Sequence, residues 1–245
     1  GVVPEQGDSS SVEGFSSGNA DNLMRLADDI AALAPDIVIV SSADHVFRLD
    51  LREVIEQHLR RGAEATLVTT TVPLAQAKHK AVVTVGRGQR VTAVDYKPKV
   101  ARSGVIASEV FVYDAPVLLA ELDALRRERA AVDPGLSDGL GDFGEHLVPR
   151  IIARGRTYAF ALQGYWMDLG RPSAYLSAHR DLLRGKVDVF DDPQWPILTR
   201  FPELPPARVD RDGRVDDVLL SPGVVVSGTV RGSVVGPGCL IESGA

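Results

Sequence analysis

The run Ile37-Val38-Ile39-Val40 constrains this chain more than any other stretch. Four consecutive β-branched residues after Asp36 describe a strand buried on both faces, and such strands belong to parallel sheets covered by helices on each side. The surrounding pattern agrees. Leu23, Leu26, Ile30 and Leu33 recur at helical spacing over 21–33, where Pro35 ends the stripe. A second helix is expected over 51–61, with Val54, Ile55, His58 and Leu59 on one side and Gly62 just past its end. Strands are expected at 65–72, at two positions around Gly86-Arg87-Gly88, at 109–113 and at 157–162. Helices are expected over 115–129, 143–153 and 173–184, the last packing Tyr175, Leu176 and Leu182. Residues 4–18 and 130–141, rich in Gly, Ser, Pro or acid, read as loops. This alternation implies an α/β fold with a three-layer, mostly parallel sheet. Ligands of such sheets sit at the carboxyl ends of strands, which is where Asp44 falls.

After about residue 186 the texture changes. Pro193, Pro196, Pro202, Pro205 and Pro206 mark a linker over 187–208. The stretch 209–245 then holds an internal repeat, Leu219-Leu220-Ser221-Pro222-Gly223-Val224-Val225-Val226 against Val234-Val235-Gly236-Pro237-Gly238-Cys239-Leu240-Ile241. Short apolar steps separated by Pro-Gly corners are the mark of a hexapeptide β-helix, and a solenoid needs about three units to close its core. Two units suggest a β-helix cut short. The expected division is therefore a partial α/β domain over 1–186, the linker, and the start of a parallel β-helix. Gly1-Val2-Val3-Pro4 carries neither an initiator Met nor a basic, apolar leader, and reads as an internal segment.

Composition narrows the function classes. Hydrophobic residues make up 44% and charged residues 24%, which suits a globular core. A net charge of −6 argues against a dedicated nucleic-acid binder, although a few placed cations suffice for a nucleotide. Cys239 is the one cysteine, so no disulfide forms within the chain and a reducing cytoplasm fits. No apolar run approaches the roughly 18 residues of a membrane span.

Four places could carry chemistry. Asp44, just past the first strand, is either a ligand for a hard cation such as Mg²⁺ or an Asp capping the next turn. Asp168 lies in Gly164-Tyr165-Trp166-Met167-Asp168-Leu169-Gly170; it is either a second ligand for the same ion or an acid at the start of the following helix. Lys97 precedes Pro98, which favours an extended backbone there; the amine could hold a phosphate as a point charge, or could simply be solvated. Gly18-Asn19-Ala20-Asp21 opens a helix and could receive a base or phosphate, or could only cap. His45, His58, His79, His146 and His179 show no metal-ligand spacing and receive no catalytic role.

In this order the motifs resemble the sugar-1-phosphate nucleotidyltransferases, and most of all the bacterial glucose-1-phosphate adenylyltransferases. Gly18-Asn19-Ala20-Asp21 resembles the family's segment beside the nucleotide. Ser42-Ala43-Asp44-His45 resembles the motif whose Asp binds the catalytic metal. Lys97-Pro98 resembles the motif whose Lys contacts the sugar phosphate, and Asp142-Phe143-Gly144 resembles a segment bordering the sugar pocket. The 164–170 segment resembles the one that supplies the second metal ligand. Trp195-Pro196-Ile197 and the Pro-rich linker are similar to the stretch before the C-terminal β-helix. The resemblance implies a Rossmann-like nucleotidyltransferase domain, a left-handed β-helix, Mg²⁺ on Asp44 and Asp168, and transfer from ATP to glucose 1-phosphate. It also implies a homotetramer and metabolite control. Three departures touch the sugar: Tyr96 stands where the family has Glu, Glu109 where a pocket Gly is usual, and Met167 where an Arg is usual. The family's Gly-rich triphosphate loop is not in this stretch, which implies weak nucleotide binding and little turnover by the stretch alone. Two rivals stay open: transfer of another nucleotide or to another sugar phosphate, and a non-catalytic regulatory paralogue.

Overall fold

The computed structural model describes residues 19–132, 142–187, 193, 195–200 and 202–245. Gly18 and the loop expected over 4–18 lie outside the described residues, as does most of the 130–141 loop, whose first positions instead continue a helix. The leading apolar stripe folds as two helices, α1 (Asn19–Arg25) and α2 (Ala27–Leu33), broken at Leu26. The break lets Leu23 and Ile30 reach the core while Leu33 stays 80% exposed, so the single straight helix expected over this stripe does not form.

The chain continues through β1 (Ile37–Ser41), β2 (His45–Phe47), α3 (Leu51–Arg60), β3 (Ala65–Thr71) and α4 (Leu74–Ala77). Next come β4 (Ala81–Val85), β5 (Val91–Tyr96), β6 (Val105–Asp114), α5 (Ala115–Val132), α6 (Leu147–Arg154) and β7 (Thr157–Ala161). β8 (Trp166–Asp168), α7 (Pro172–Leu183), β9 (Arg208–Val209), β10 (Arg214–Leu220), β11 (Val225–Val226), β12 (Thr229–Val235) and β13 (Leu240–Ile241) complete it. The described residues form two compact units. One takes the chain up to Ser42 and Leu49–Gln163; the other takes Ala43–Arg48 and the chain from Gly164 to Ala245.

The first unit is built on a six-stranded sheet ordered β5-β4-β6-β3-β7, with β1 also paired to β6. Within this sheet, among the described residues, only β3–β7 is parallel; β1–β6, β3–β6, β4–β5 and β4–β6 are antiparallel. The expectation of a mostly parallel sheet is thus corrected to a mixed one. β4 and β5 are joined by a short turn with no crossover helix, and strands joined this way run antiparallel. β6 is inserted antiparallel to β1, β3 and β4, which breaks the parallel run that alternating strands and helices would otherwise give. β1 departs from expectation too. Its residues are half-buried or exposed, and β6 is its only partner among the described residues. The β-branched run therefore reports strand propensity rather than burial.

Helices cover both faces of the sheet, as expected of an α/β fold. On one face Leu118, Leu122 and Leu125 of α5 and Leu147, Val148, Ile151 and Ile152 of α6 pack against Leu67, Phe111 and Tyr113. On the other, α3 buries Val54, Gln57 and His58. His58 Nδ1 lies 3.0 Å from Thr66 Oγ1, and Gln57 Nε2 donates to the Ala159 carbonyl at 3.0 Å. Leu59, expected on the buried side, is 62% exposed; Gln57 takes that place because its amide finds a strand carbonyl. Past the end of α3, Gly62 N–H bonds the Leu59 carbonyl and Ala63 N–H the His58 carbonyl, which closes the helix in a Schellman motif.

In the second unit α7 packs on β10 and β12. Ala178 is its buried residue, whereas Tyr175 and Leu176, expected to pack, are about half exposed. β10 pairs in parallel with β12, Arg214 opposite Thr229, and β11 pairs in parallel with both β9 and β13. Val224, Val226, Val230 and Val235 form the core between these ladders. No helix of the described residues is long and apolar enough to cross a membrane.

Candidate active site

In the second unit, β2 and β8 form an antiparallel ladder that sets His45 opposite Asp168 and Phe47 opposite Trp166. Asp44 immediately precedes β2, and its carbonyl accepts from Leu169 N–H at 2.8 Å. This ladder brings together the two acids that lie far apart in sequence. One ligand atom each from Asp44, His45 and Asp168 lies within 4.8 Å of the others. The Asp44 carboxylate is 54% exposed, whereas the His45 side chain is almost wholly covered and meets Trp166 edge-on, with ring centroids 5.0 Å apart. His45 Nε2 is 3.5 Å from Asp44 Oδ1. Gly170 N–H donates to Asp168 Oδ1 at 2.7 Å. A Cβ at Gly170 would stand 3.0 Å from that oxygen and 3.5 Å from Asp44 Oδ2, so glycine leaves the space beside the two acids open.

The donor set suits a hard divalent cation. Two carboxylates on an open face match the habit of Mg²⁺, which takes one or two protein carboxylates and keeps several waters. His45 shares no metal-ligand spacing with the other histidines; its place next to Asp44 is the one sequence signal for it, and its pairing with Asp168 appears only in the folded ladder.

In the first unit, Tyr96, Lys97, Asp142, Phe143 and Gly144 line one cleft of about 290 Å³, together with Asn19 and Glu109. Asp142 is its hub. The Tyr96 hydroxyl donates to Asp142 Oδ2, and Lys97 Nζ lies 3.6 Å from the same oxygen and 4.5 Å over the Tyr96 ring. Asn19 N–H points to Asp142 Oδ1 at 3.4 Å, and Phe143 N–H donates to Asn19 Oδ1 at 2.6 Å. Burial, followed by the bond to Asp142, pushes the Tyr96 phenol well above its ordinary pKa, so it stays a neutral donor. Lys97 is not extended as expected before Pro98. Its φ is 45°, a left-handed turn, and its N–H closes the β4–β5 ladder on the Lys80 carbonyl. That turn accompanies an amine folded over Tyr96 toward Asp142.

A second cleft of about 230 Å³ is lined by Asn22, Leu26, Val40 and Ser42, and shares Asn19, Glu109 and Phe143 with the first. Of the helix-opening motif, Asn19 thus borders both clefts while Ala20 is fully buried. Asp21 lies in α1, with its side chain outside the described set.

The chain belongs to the nucleotidyl transferase family, whose pattern matches residues 6–185. It is similar to enzymes named glucose-1-phosphate adenylyltransferase. It is 29% identical to that of Thermosipho melanesiensis over 229 residues, covering 93% of this chain and 53% of the relative. It is 27% identical to that of Fervidobacterium nodosum, covering 93% and 53%, and 24% identical to that of Bacillus thuringiensis, covering 100% and 63%. The chain therefore spans between about half and somewhat under two thirds of these relatives.

Proposed function

We propose that the protein containing this chain transfers a nucleotidyl group from ATP to glucose 1-phosphate, giving ADP-glucose and pyrophosphate for α-glucan synthesis. The observation that carries this reading is the meeting of Asp44 and Asp168 across the β2–β8 ladder, in a chain of the nucleotidyl transferase family. A sugar-phosphate oxygen attacks the α-phosphorus of ATP, the bond to the bridging oxygen breaks, and pyrophosphate leaves. No covalent enzyme intermediate is needed, so positioning and charge neutralisation carry the rate. Asp44 and Asp168 would hold Mg²⁺, which when bound supplies positive charge to the phosphates. Lys97 holds the sugar phosphate as a fixed cation, and Tyr96 and Asp142 meet the sugar's hydroxyls. Lys97 is no general base, since the phosphate it meets is already ionised at neutral pH.

Two of the three parallel ladders share one spacing, Arg214 to Thr229 and Val225 to Leu240, with the Arg208 to Val225 step slightly longer, and this near-repeat supports reading 209–245 as the start of a left-handed β-helix. A homotetramer assembled through it, in the cytoplasm, completes the proposal. Tyr96 and Glu109 favour one second reading, the same reaction on a different sugar phosphate.

Pyrophosphate release by the full-length protein, measured across nucleoside triphosphates and sugar phosphates, tests both. Asp44→Asn is expected to lower kcat by about 10²–10³ while the fold persists, taking a lost oxyanion-site contact as the scale. Lys97→Ala is expected to raise KM for the sugar phosphate rather than for ATP. Near-normal turnover of Asp44→Asn at saturating Mg²⁺ would remove that carboxylate from the mechanism.

A further inference from the structure

Glu109 stands in the middle of β6 with φ 59°, a left-handed conformation that a side chain makes costly and that glycine adopts freely. The strand bulges there. Leu67 of β3 opposes Phe111 and Thr69 opposes Ala107, so Val68 alone faces the three residues 108–110. A bulge of this kind re-aims a side chain. The backbone contact made at this position, Ser42 N–H to the Glu109 carbonyl at 3.0 Å, would be served equally by glycine. What glycine would not supply is the carboxylate, and Glu109 lines both clefts, where they meet at Asn19 and Phe143. Its charge is near enough to the cleft's phenol to contribute to the raised pKa of Tyr96. Strain kept at a cleft wall, where an unstrained residue would satisfy the backbone, points to use of the side chain.

We propose that Glu109 determines which sugar phosphate the cleft accepts: its carboxylate takes hydrogen bonds from donor groups, hydroxyl or ammonium, of a sugar whose phosphate Lys97 holds. This rests on the sugar-phosphate reading of the cleft. Carboxylate and amine line the same cleft, so a ligand presenting an anion to one and donors to the other satisfies both. A bare phosphate gains nothing from Glu109 and is repelled by it.

The test is calorimetric binding of glucose 1-phosphate, glucosamine 1-phosphate and inorganic phosphate to the full chain, as wild type, Glu109→Gly and Glu109→Gln. Glu109→Gly is expected to unfold at a higher temperature, to hold inorganic phosphate as tightly as wild type or more so, and to bind its preferred sugar phosphate at least tenfold more weakly. Glu109→Gln separates the donors. A loss confined to glucosamine 1-phosphate assigns an ammonium partner, and an equal loss for both sugars assigns hydroxyls. If wild type binds the sugar phosphates better than phosphate and both variants keep that preference, the role of Glu109 is overturned while the cleft reading stands. If wild type binds no sugar phosphate better than inorganic phosphate, both fall. Should Glu109→Gly fail to fold, Glu109→Gln, which leaves the backbone as it is, decides alone.

Discussion

Asp142 accepts from Tyr96 and from the backbone of Asn19 while facing the amine of Lys97, and the ring that makes this possible has no spare room. A Cβ on Gly144 would lie 2.3 Å from Tyr96 Cδ2. Gly144→Ala is therefore expected to drive Tyr96 off Asp142, costing about 1–3 kcal/mol as an overpacked site and raising KM for the sugar phosphate. A urea midpoint and a KM measured on one preparation check both effects. Elsewhere in the unit, Glu64 is buried with Arg154 Nη2 2.9 Å and Arg156 Nη2 2.8 Å from its Oε1. The hydrogen bond from Arg154, followed by that from Arg156, holds its carboxyl below the usual range against the opposing effect of burial. Its contribution to stability is full above the unfolded value, about pH 4.3, and is lost as pH falls through the lower folded value. Thermal melts of wild type and Glu64→Gln across that acid range should diverge above it and converge below; parallel curves would show no such coupling.

At the scale of elements, the long apolar helices were legible because their burial needs only a stripe. Leu118, Leu122 and Leu125 recur along α5 and all turn into the core. Leu122 is fully buried, so Leu122→Ala is expected to cost about 2–5 kcal/mol in chemical denaturation, through lost burial plus a cavity. Exposed helix positions misled the same reasoning: Leu33 and Leu59 fit a stripe by spacing yet lie outside the core, because the break at Leu26 and the amide of Gln57 settle which side is buried, and Tyr175 of α7 is likewise exposed while Ala178 is buried. The β2–β8 ladder was not legible as an element. Three residues, Trp166-Met167-Asp168, carry no periodicity, and their partner lies more than a hundred positions earlier.

For the whole molecule, a ligand that binds only the folded state raises stability by mass action. Mg²⁺ at about a hundred times its dissociation constant should add about 2.7 kcal/mol. A rise in melting temperature that saturates with Mg²⁺, and is absent in Asp168→Asn, is the expected result; an equal rise in the variant would place the ion elsewhere. The chain's own letters determined the class of fold, most of the helices, the Pro-Gly repeat and the short list containing Asp44, Lys97 and Asp168, because these depend on local periodicity and on residue chemistry that survives unfolding; Asp142 entered only through the family resemblance. Tertiary structure alone decided strand direction, the left-handed turns at Lys97 and Glu109, the inclusion of His45 beside the two acids, and the gathering of Tyr96, Lys97 and Asn19 around the Asp142 carboxylate. Each of these depends on contacts between parts of the chain remote in sequence, set by how strands pair and what the packed core leaves room for, which no local pattern encodes.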